Sequence, residues 1–160
     1  MSNSDTIYRR HSPVPLDKCG AALATDIISD RWTILIMREA FYGVMRYDDF
    51  RADIGIPRSV LTDRLKRLVD AEMLKRIPYR EGNSRTRYGY APTETGLTFG
   101  LPLLALMAWG DTHLAEHGSA IKIVDRSTGT KLKVAIVPED TPEIGITDVR
   151  IVPKQSEMTR

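Results

Sequence analysis

Cysteine is nearly absent from this chain: Cys19 is the single one in 160 residues. That excludes an internal disulfide and any cysteine-based zinc finger. Histidine is almost as scarce, limited to His11, His113 and His117, and none of the three accompanies a serine or cysteine nucleophile motif. No glycine-rich phosphate loop is present either. With these elements missing, catalysis has no obvious machinery, and the chain reads as a non-enzyme without a cofactor. No apolar run approaches the roughly 20 residues of a membrane span, and no secretory apolar stretch opens the sequence. A soluble, cytoplasmic protein with no membrane partner is expected. Excess charge is lacking too: the net value is only +2, so the molecule as a whole is not a basic arm.

What is present is a 42% hydrophobic content, enough for one domain with a true core plus an extension. The charge is unevenly spread. Residues 57–92 hold nine basic side chains (Arg58, Arg64, Lys66, Arg67, Lys75, Arg76, Arg80, Arg85, Arg87) against four acidic ones (Asp63, Asp70, Glu72, Glu81). That stretch carries +5 and leaves −3 for the remainder. A localised basic zone in a near-neutral protein marks a face for a polyanion.

The zone begins with its most informative stretch, 54–73. Leu61, Leu65, Leu68 and Val69 fall on one stripe at helical period, and Pro57 suits a helix entry. The opposite face carries Ser59, Asp63, Lys66 and Arg67, with Arg58 and Thr62 flanking the first turn. A shorter helix over 47–52 precedes it across a tight corner at 53–56. Two short helices around such a corner form a helix-turn-helix, whose second helix enters the DNA major groove. A surface helix with solvated charge fits the helix alone equally well. The residues immediately C-terminal to the helix separate the two. Residues 74–79 read as a strand, 80–84 as a turn, and 85–91 as a second strand with alternating basic and aromatic residues. This is a hairpin with a basic tip, the wing of a winged helix, with Arg80, Arg85 and Arg87 placed to meet phosphates or the minor groove.

The rest of the chain frames this pair. Residues 1–17 form a polar, flexible arm. A helix over 19–29 is followed by Asp30, the cap of a helix over 31–41 with a core stripe of Trp32, Leu35, Ile36 and Met37. Val44 and Met45 are extended and suited to pairing with a later strand. Thr93 caps a long helix that is apolar nearly all round. One small domain cannot cover it, so Leu103, Leu106 and Trp109 are expected to pack against a second copy. Residues 120–152 predict three short strands, 121–125, 131–137 and 148–152.

The chain resembles the HxlR-type winged helix-turn-helix regulators, close to the MarR-like fold. The residues that carry the resemblance run in order over about 16–118. They are Cys19, then Asp30-Arg31-Trp32-Thr33 through Leu35-Ile36-Met37-Arg38-Glu39, then Arg46-Tyr47-Asp48-Asp49-Phe50 and Ile56. Val60-Leu61-Thr62-Asp63-Arg64-Leu65 and Leu68 come next, then Tyr90-Ala91-Pro92-Thr93-Glu94-Thr95-Gly96 and Trp109-Gly110-Asp111. Pro92 stands where the family usually has leucine. The fold implied is mainly α with a β-wing (α+β): a winged helix-turn-helix DNA-binding and dimerisation domain over 18–118, and a small C-terminal β appendage over 119–160. The appendage is similar to the zinc-ribbon-like tail of some relatives, but without a cysteine to hold zinc.

The resemblance implies a cytoplasmic homodimeric transcription factor that binds double-stranded DNA through the helix at 58–71 and the wing at 80–87. It implies dimerisation through the first helix and the helix at 93–117. Some members sense quinones, aldehydes or hypochlorite through a cysteine at the position of Cys19, and the positive end of a helix is a setting that activates thiols. A buried, inert cysteine is the alternative. A small aromatic effector between the dimer helices and the core is a further possibility. A metal-responsive regulator is the competing reading, with Asp111, His113 and His117 on one helix and the two histidines four apart. RNA is disfavoured because no aromatic stacking platform is evident.

Overall fold

The computed structural model describes residues 13–82 and 85–154; most of the N-terminal arm, with His11, and the wing-tip residues Asn83 and Ser84 lie outside them. Among the described residues, six α-helices and two antiparallel strand pairs run in the order α1 (Gly20–Ile28), α2 (Arg31–Phe41), α3 (Tyr47–Ile54), α4 (Arg58–Asp70), β1 (Leu74–Tyr79), β2 (Arg87–Pro92), α5 (Glu94–Thr98), α6 (Gly100–His113), β3 (Ile121–Asp125) and β4 (Val149–Pro153). This is a winged helix with a small β unit appended.

The helix boundaries have local causes. Asp30 caps α2: its carboxylate accepts from the Trp32 N–H at 2.9 Å and the Thr33 N–H at 3.3 Å. Such a cap satisfies donors that the first turn leaves orphaned. Gly43, at φ 89°, and Gly55, at φ 65°, take the left-handed turns that end α2 and α3. At the end of α4 the Met73 N–H reaches the Leu68 carbonyl and the Glu72 N–H reaches the Val69 carbonyl. That is a Schellman ending, with Glu72 at φ 57° where glycine is usual.

The core gathers around α2, α3 and α4. Ile36, Met37, Phe50, Leu61, Leu65, Leu68 and Leu74 are all essentially sealed from solvent, each adding about 1.5–3 kcal/mol of hydrophobic stabilisation. Two polar side chains, Thr33 and Glu39, are buried with them. Burial pushes the Glu39 carboxyl up, while the neighbouring Arg38 opposes the shift.

The wing pairs antiparallel in the register Leu74↔Pro92 to Tyr79↔Arg87. The expected pairing of 44–45 with a later strand reduces to one hydrogen bond, the Tyr90 N–H to the Met45 carbonyl at 2.7 Å. Gly89 permits that approach, since a Cβ there would stand 2.9 Å from the Met45 oxygen.

Two expectations need correction. The single helix predicted over 93–117 is two: α5 ends at Thr98, α6 begins at Gly100, and the helix stops at His113. Its all-round apolar pattern hides a break that serves packing. Gly100 lies against Ile146 and Phe41, where a Cβ would come within 2.6–2.8 Å of both side chains. The appendage has two paired strands rather than three. β3 and β4 pair antiparallel, Ile121↔Pro153 to Asp125↔Val149, while 131–137 contributes one bridge, Val124↔Lys131. The Leu132 N–H also reaches the Ile123 carbonyl at 2.9 Å, but among the described residues the ladder goes no farther, and Ile136 is fully exposed. The connecting turn is tied by Asp125, whose carboxylate accepts from the side chain and N–H of both Ser127 and Thr128. Those bonds hold its carboxyl down at about 2.

Among the described residues, no helix is long and apolar enough to cross a membrane.

Candidate nucleic-acid interface

The face is built on α4. Its inner stripe, Leu61, Leu65 and Leu68, is buried against the core. This forces Arg58, Ser59, Thr62, Asp63, Lys66 and Arg67 outward, and all six are exposed. The left-handed Gly55 turns the chain between α3 and α4. The Pro57 carbonyl then accepts the first α4 bond, from the Leu61 N–H at 2.9 Å.

Three groups fix the angle of α4. The Tyr47 hydroxyl donates to the Arg58 carbonyl at 2.8 Å and lies 3.0 Å from the Thr62 hydroxyl, which also reaches the Arg58 carbonyl at 3.0 Å. This cluster ties α3 to the first turn of α4. Farther along, the Arg64 Nε donates to Asp30 at 2.8 Å, so the residue that caps α2 also clamps α4. Burial works to raise the Asp30 carboxyl, but hydrogen bonds from Thr33 and Trp32 and the Arg64 charge outweigh it and hold the group below its ordinary value. A lowered carboxyl stabilises the fold above the unfolded value of 3.8 and loses that contribution as pH falls through the folded one. Asp30→Ala should therefore cost about 1–2 kcal/mol at neutral pH, read by urea denaturation. An unchanged midpoint would remove the clamp from the account.

The outward charges are partly paired along the helix. Asp63 sits 3.0 Å from Arg67 and also against Arg64, and Lys66 lies 2.6 Å from Asp70. Exposed pairs of this kind contribute roughly 0–1 kcal/mol, so phosphates or bases can displace them. Arg58 is exposed, with no side-chain hydrogen bond or ion pair among the described residues.

The wing adds a second basic element. Arg80, Arg85 and Arg87 are exposed; the Arg80 Nε donates to the Thr86 hydroxyl at 2.6 Å, which links the two sides of the wing. Arg76 stacks over Tyr88 at 4.3 Å. At the tip end of the wing, Arg46 pairs with Glu81 at 2.6 Å and lies over the Tyr79 ring. The structure thus presents all nine sequence-predicted helix and wing residues at the surface. It adds Tyr47, Arg64, Asp30 and Arg46 as the groups that hold helix and wing in place. Sequence reading missed these positioning roles because each depends on a partner between 11 and 35 residues away, and periodicity does not register such distances.

The other predicted positions are mixed. Cys19 is half-buried at the N-cap of α1, and its side chain makes no cap bond. Leu103 is buried inside the chain, whereas Leu106 and Trp109 are 47% and 55% exposed; Leu103 is therefore not part of the open apolar face. The metal reading loses its geometry. α6 ends at His113, so His117 does not share a helix face with it, and His113 rests against the Trp109 ring at 5.3 Å. No group of three potential ligands able to hold a metal ion occurs among the described residues.

The sequence pattern of the HxlR-like helix-turn-helix family matches residues 27–118. An HTH-type transcriptional regulator of Mycobacterium tuberculosis is 37% identical over 107 residues, 66% of each chain and so just under two thirds of that protein's length. The crystal structure of PA1607, assigned as a transcription factor, is 28% identical with a TM-score of 0.65, covering 89% of this chain and 92% of its own. The reduced form of the transcriptional regulator YodB from B. subtilis is 26% identical with a TM-score of 0.51, over 63% of this chain and 98% of its own.

Proposed function

The chain belongs to the HxlR-like helix-turn-helix family, and from that premise we propose that it is a sequence-specific transcriptional regulator of the cytoplasm, a repressor acting as a homodimer on a pseudo-palindromic operator, and not an enzyme. One observation carries this reading: the apolar stripe of α4 is consumed by the core while Arg58, Ser59, Thr62, Asp63, Lys66 and Arg67 face outward beside a basic wing. A helix so displayed can enter the major groove, and the wing can track the phosphates or the minor groove.

Helix and wing have different tasks on DNA. Arg58, with its guanidinium unengaged, donates to a guanine edge, and Arg85 and Arg87 neutralise phosphates. Arg58→Ala should cost about 1–3 kcal/mol on the cognate site and relax preference at one base position. Arg85→Ala should weaken cognate and random duplexes alike and lower the salt slope by about one. Titrations of both variants across salt concentrations check the assignment. Reversed roles, with Arg85→Ala changing the preferred base, would overturn it.

The dimer uses α1 and the outer face of α6. No residue of α1 is buried, and Leu23 and Ile27 are 52% and 40% exposed. Release from DNA is triggered by an electrophile or oxidant acting at Cys19, or by binding of a small aromatic effector. The half-buried thiol at a helix start, and a related regulator solved in a reduced form, support the first route. Cys19→Ser should bind DNA like the wild type yet stay bound when diamide or a quinone releases the wild type. Equal release of both would make Cys19 a structural residue.

A further inference from the structure

We propose that the crevice between the winged-helix core and the C-terminal β unit binds a small ring-bearing organic carboxylate. This names a site and a chemical class for the effector in the proposed function, and its regulatory meaning rests on that reading, although the binding itself does not.

The crevice has a volume of about 880 Å³, within the range of roughly 300–1,000 Å³ typical of small-molecule sites. Phe41, Leu97, Gly100, Leu104, Ile146 and Ile151 are among the residues that line it. Arg38, Arg126 and Arg150 stand around it, and no acidic residue lines it.

The three arginines are not equivalent. Arg126 is committed to structure: its Nε donates to the Thr147 carbonyl at 3.1 Å and its second amine to the Val149 carbonyl at 3.4 Å. It thereby holds the wall that carries Ile146. Arg38 lies 3.1 Å from Glu39 and over the Tyr42 ring at 5.2 Å, so its charge is partly met and its plane is fixed. Arg150 is exposed, with no hydrogen bond or ion pair engaging its guanidinium among the described residues.

An apolar cavity with a cationic rim selects an amphipathic anion. Inorganic phosphate would leave the apolar walls wet, and a neutral hydrocarbon would leave the guanidinium unmatched. A ring seated on Phe41 and Ile146, with its carboxylate at the rim, satisfies both parts. The planar arginine fork suits a carboxylate in two-point contact.

The position also suits control. Phe41 and Tyr42 close the C-terminal end of α2, whose N-terminal cap, Asp30, clamps Arg64 of the recognition helix. A ligand in the crevice touches the far end of the element that orients α4.

The test is calorimetry on the full chain without DNA, using 2-naphthoate and its neutral counterpart 2-naphthamide. The acid should bind saturably, one per chain, and the amide about 10–100-fold more weakly, as expected for loss of a charge-assisted pair. Arg150→Gln should remove most of that discrimination and leave amide binding unchanged. Ile151→Trp, which adds bulk at a half-buried wall position, should weaken both ligands; a thermal melt reports whether it folds, and if it does not, Arg150→Gln decides alone. The proposal is overturned if the wild type shows no saturable binding of 2-naphthoate. Equal affinity for acid and amide, or discrimination that survives in Arg150→Gln, would overturn it too. Because no DNA is present, either result leaves the DNA-binding reading to stand or fall on its own experiments.

Discussion

Replacing Leu106 and Trp109 together by glutamate should leave a folded monomer in place of the proposed dimer and weaken operator binding by on the order of 10²–10⁴-fold. The argument starts from the composition of α6, which is apolar on every side. A helix with that pattern needs cover all round. Its inner residues, Gly100, Leu103 and Leu104, are buried within the chain. Leu101, Leu106 and Trp109 remain 57%, 47% and 55% exposed, and α1 adds Leu23 and Ile27. Exposed apolar side chains of this size support the proposed dimer interface. A two-fold dimer presents two recognition helices, and the second binds intramolecularly once the first is engaged; that linkage carries the expected factor. Because both side chains contribute little to the core of one chain, folding should survive. Sedimentation and circular dichroism give the physical state, and a DNA titration gives the affinity. A double variant that remains dimeric, or a monomer that binds as tightly as the wild type, would move the interface elsewhere.

Gly96→Ala should destabilise the fold by about 3 kcal/mol or more, the upper range for overpacking a rigid site. Gly96 lies in the first turn of α5, where its N–H donates to the Thr93 hydroxyl at 3.0 Å. A Cβ added there runs into the Met73 carbonyl oxygen, which is backbone and cannot swing aside. That carbonyl already accepts from the Thr93 N–H at 3.2 Å, and the Thr93 hydroxyl also bonds the Glu72 carbonyl. Retreat from the new methyl group would break the contact between α5 and the end of the recognition helix. Urea unfolding measures the loss. A change under about 1 kcal/mol would mean that the junction yields more readily than its hydrogen bonds imply.

The winged helix was legible because local chemistry and tertiary packing agree there. Asp30 lies at a cap position just before an apolar stripe, and α2 spans Arg31–Phe41 as the pattern predicts. The alternation after Met73 gives β1 over Leu74–Tyr79. Leu61, Leu65 and Leu68 set the inner face of α4 and therefore its outer face as well. The rest depends on partners distant in sequence. Nothing local marks Phe99 as a break between helices; Gly100 must lie close to Ile146, 46 positions later. Lys131 to Val137 alternates like a strand, yet a strand forms only where a neighbouring ladder exists. Leu103 and Leu106 look alike in an all-apolar helix, and only the packing of the inner face tells the buried one from the exposed one. Tyr47 and Arg64 have ordinary helical positions, and their roles arise from the crossing of α3, α2 and α4.

Selection of bound duplexes from a random DNA pool tests the central claim most directly. The full-length protein should enrich a pseudo-palindrome whose half-sites are centred about one helical turn, or a multiple of one turn, apart, with a guanine in each half whose preference relaxes in Arg58→Ala. A pool that remains unenriched after repeated rounds at moderate salt, although the protein is folded, would contradict sequence-specific recognition by α4 and the wing.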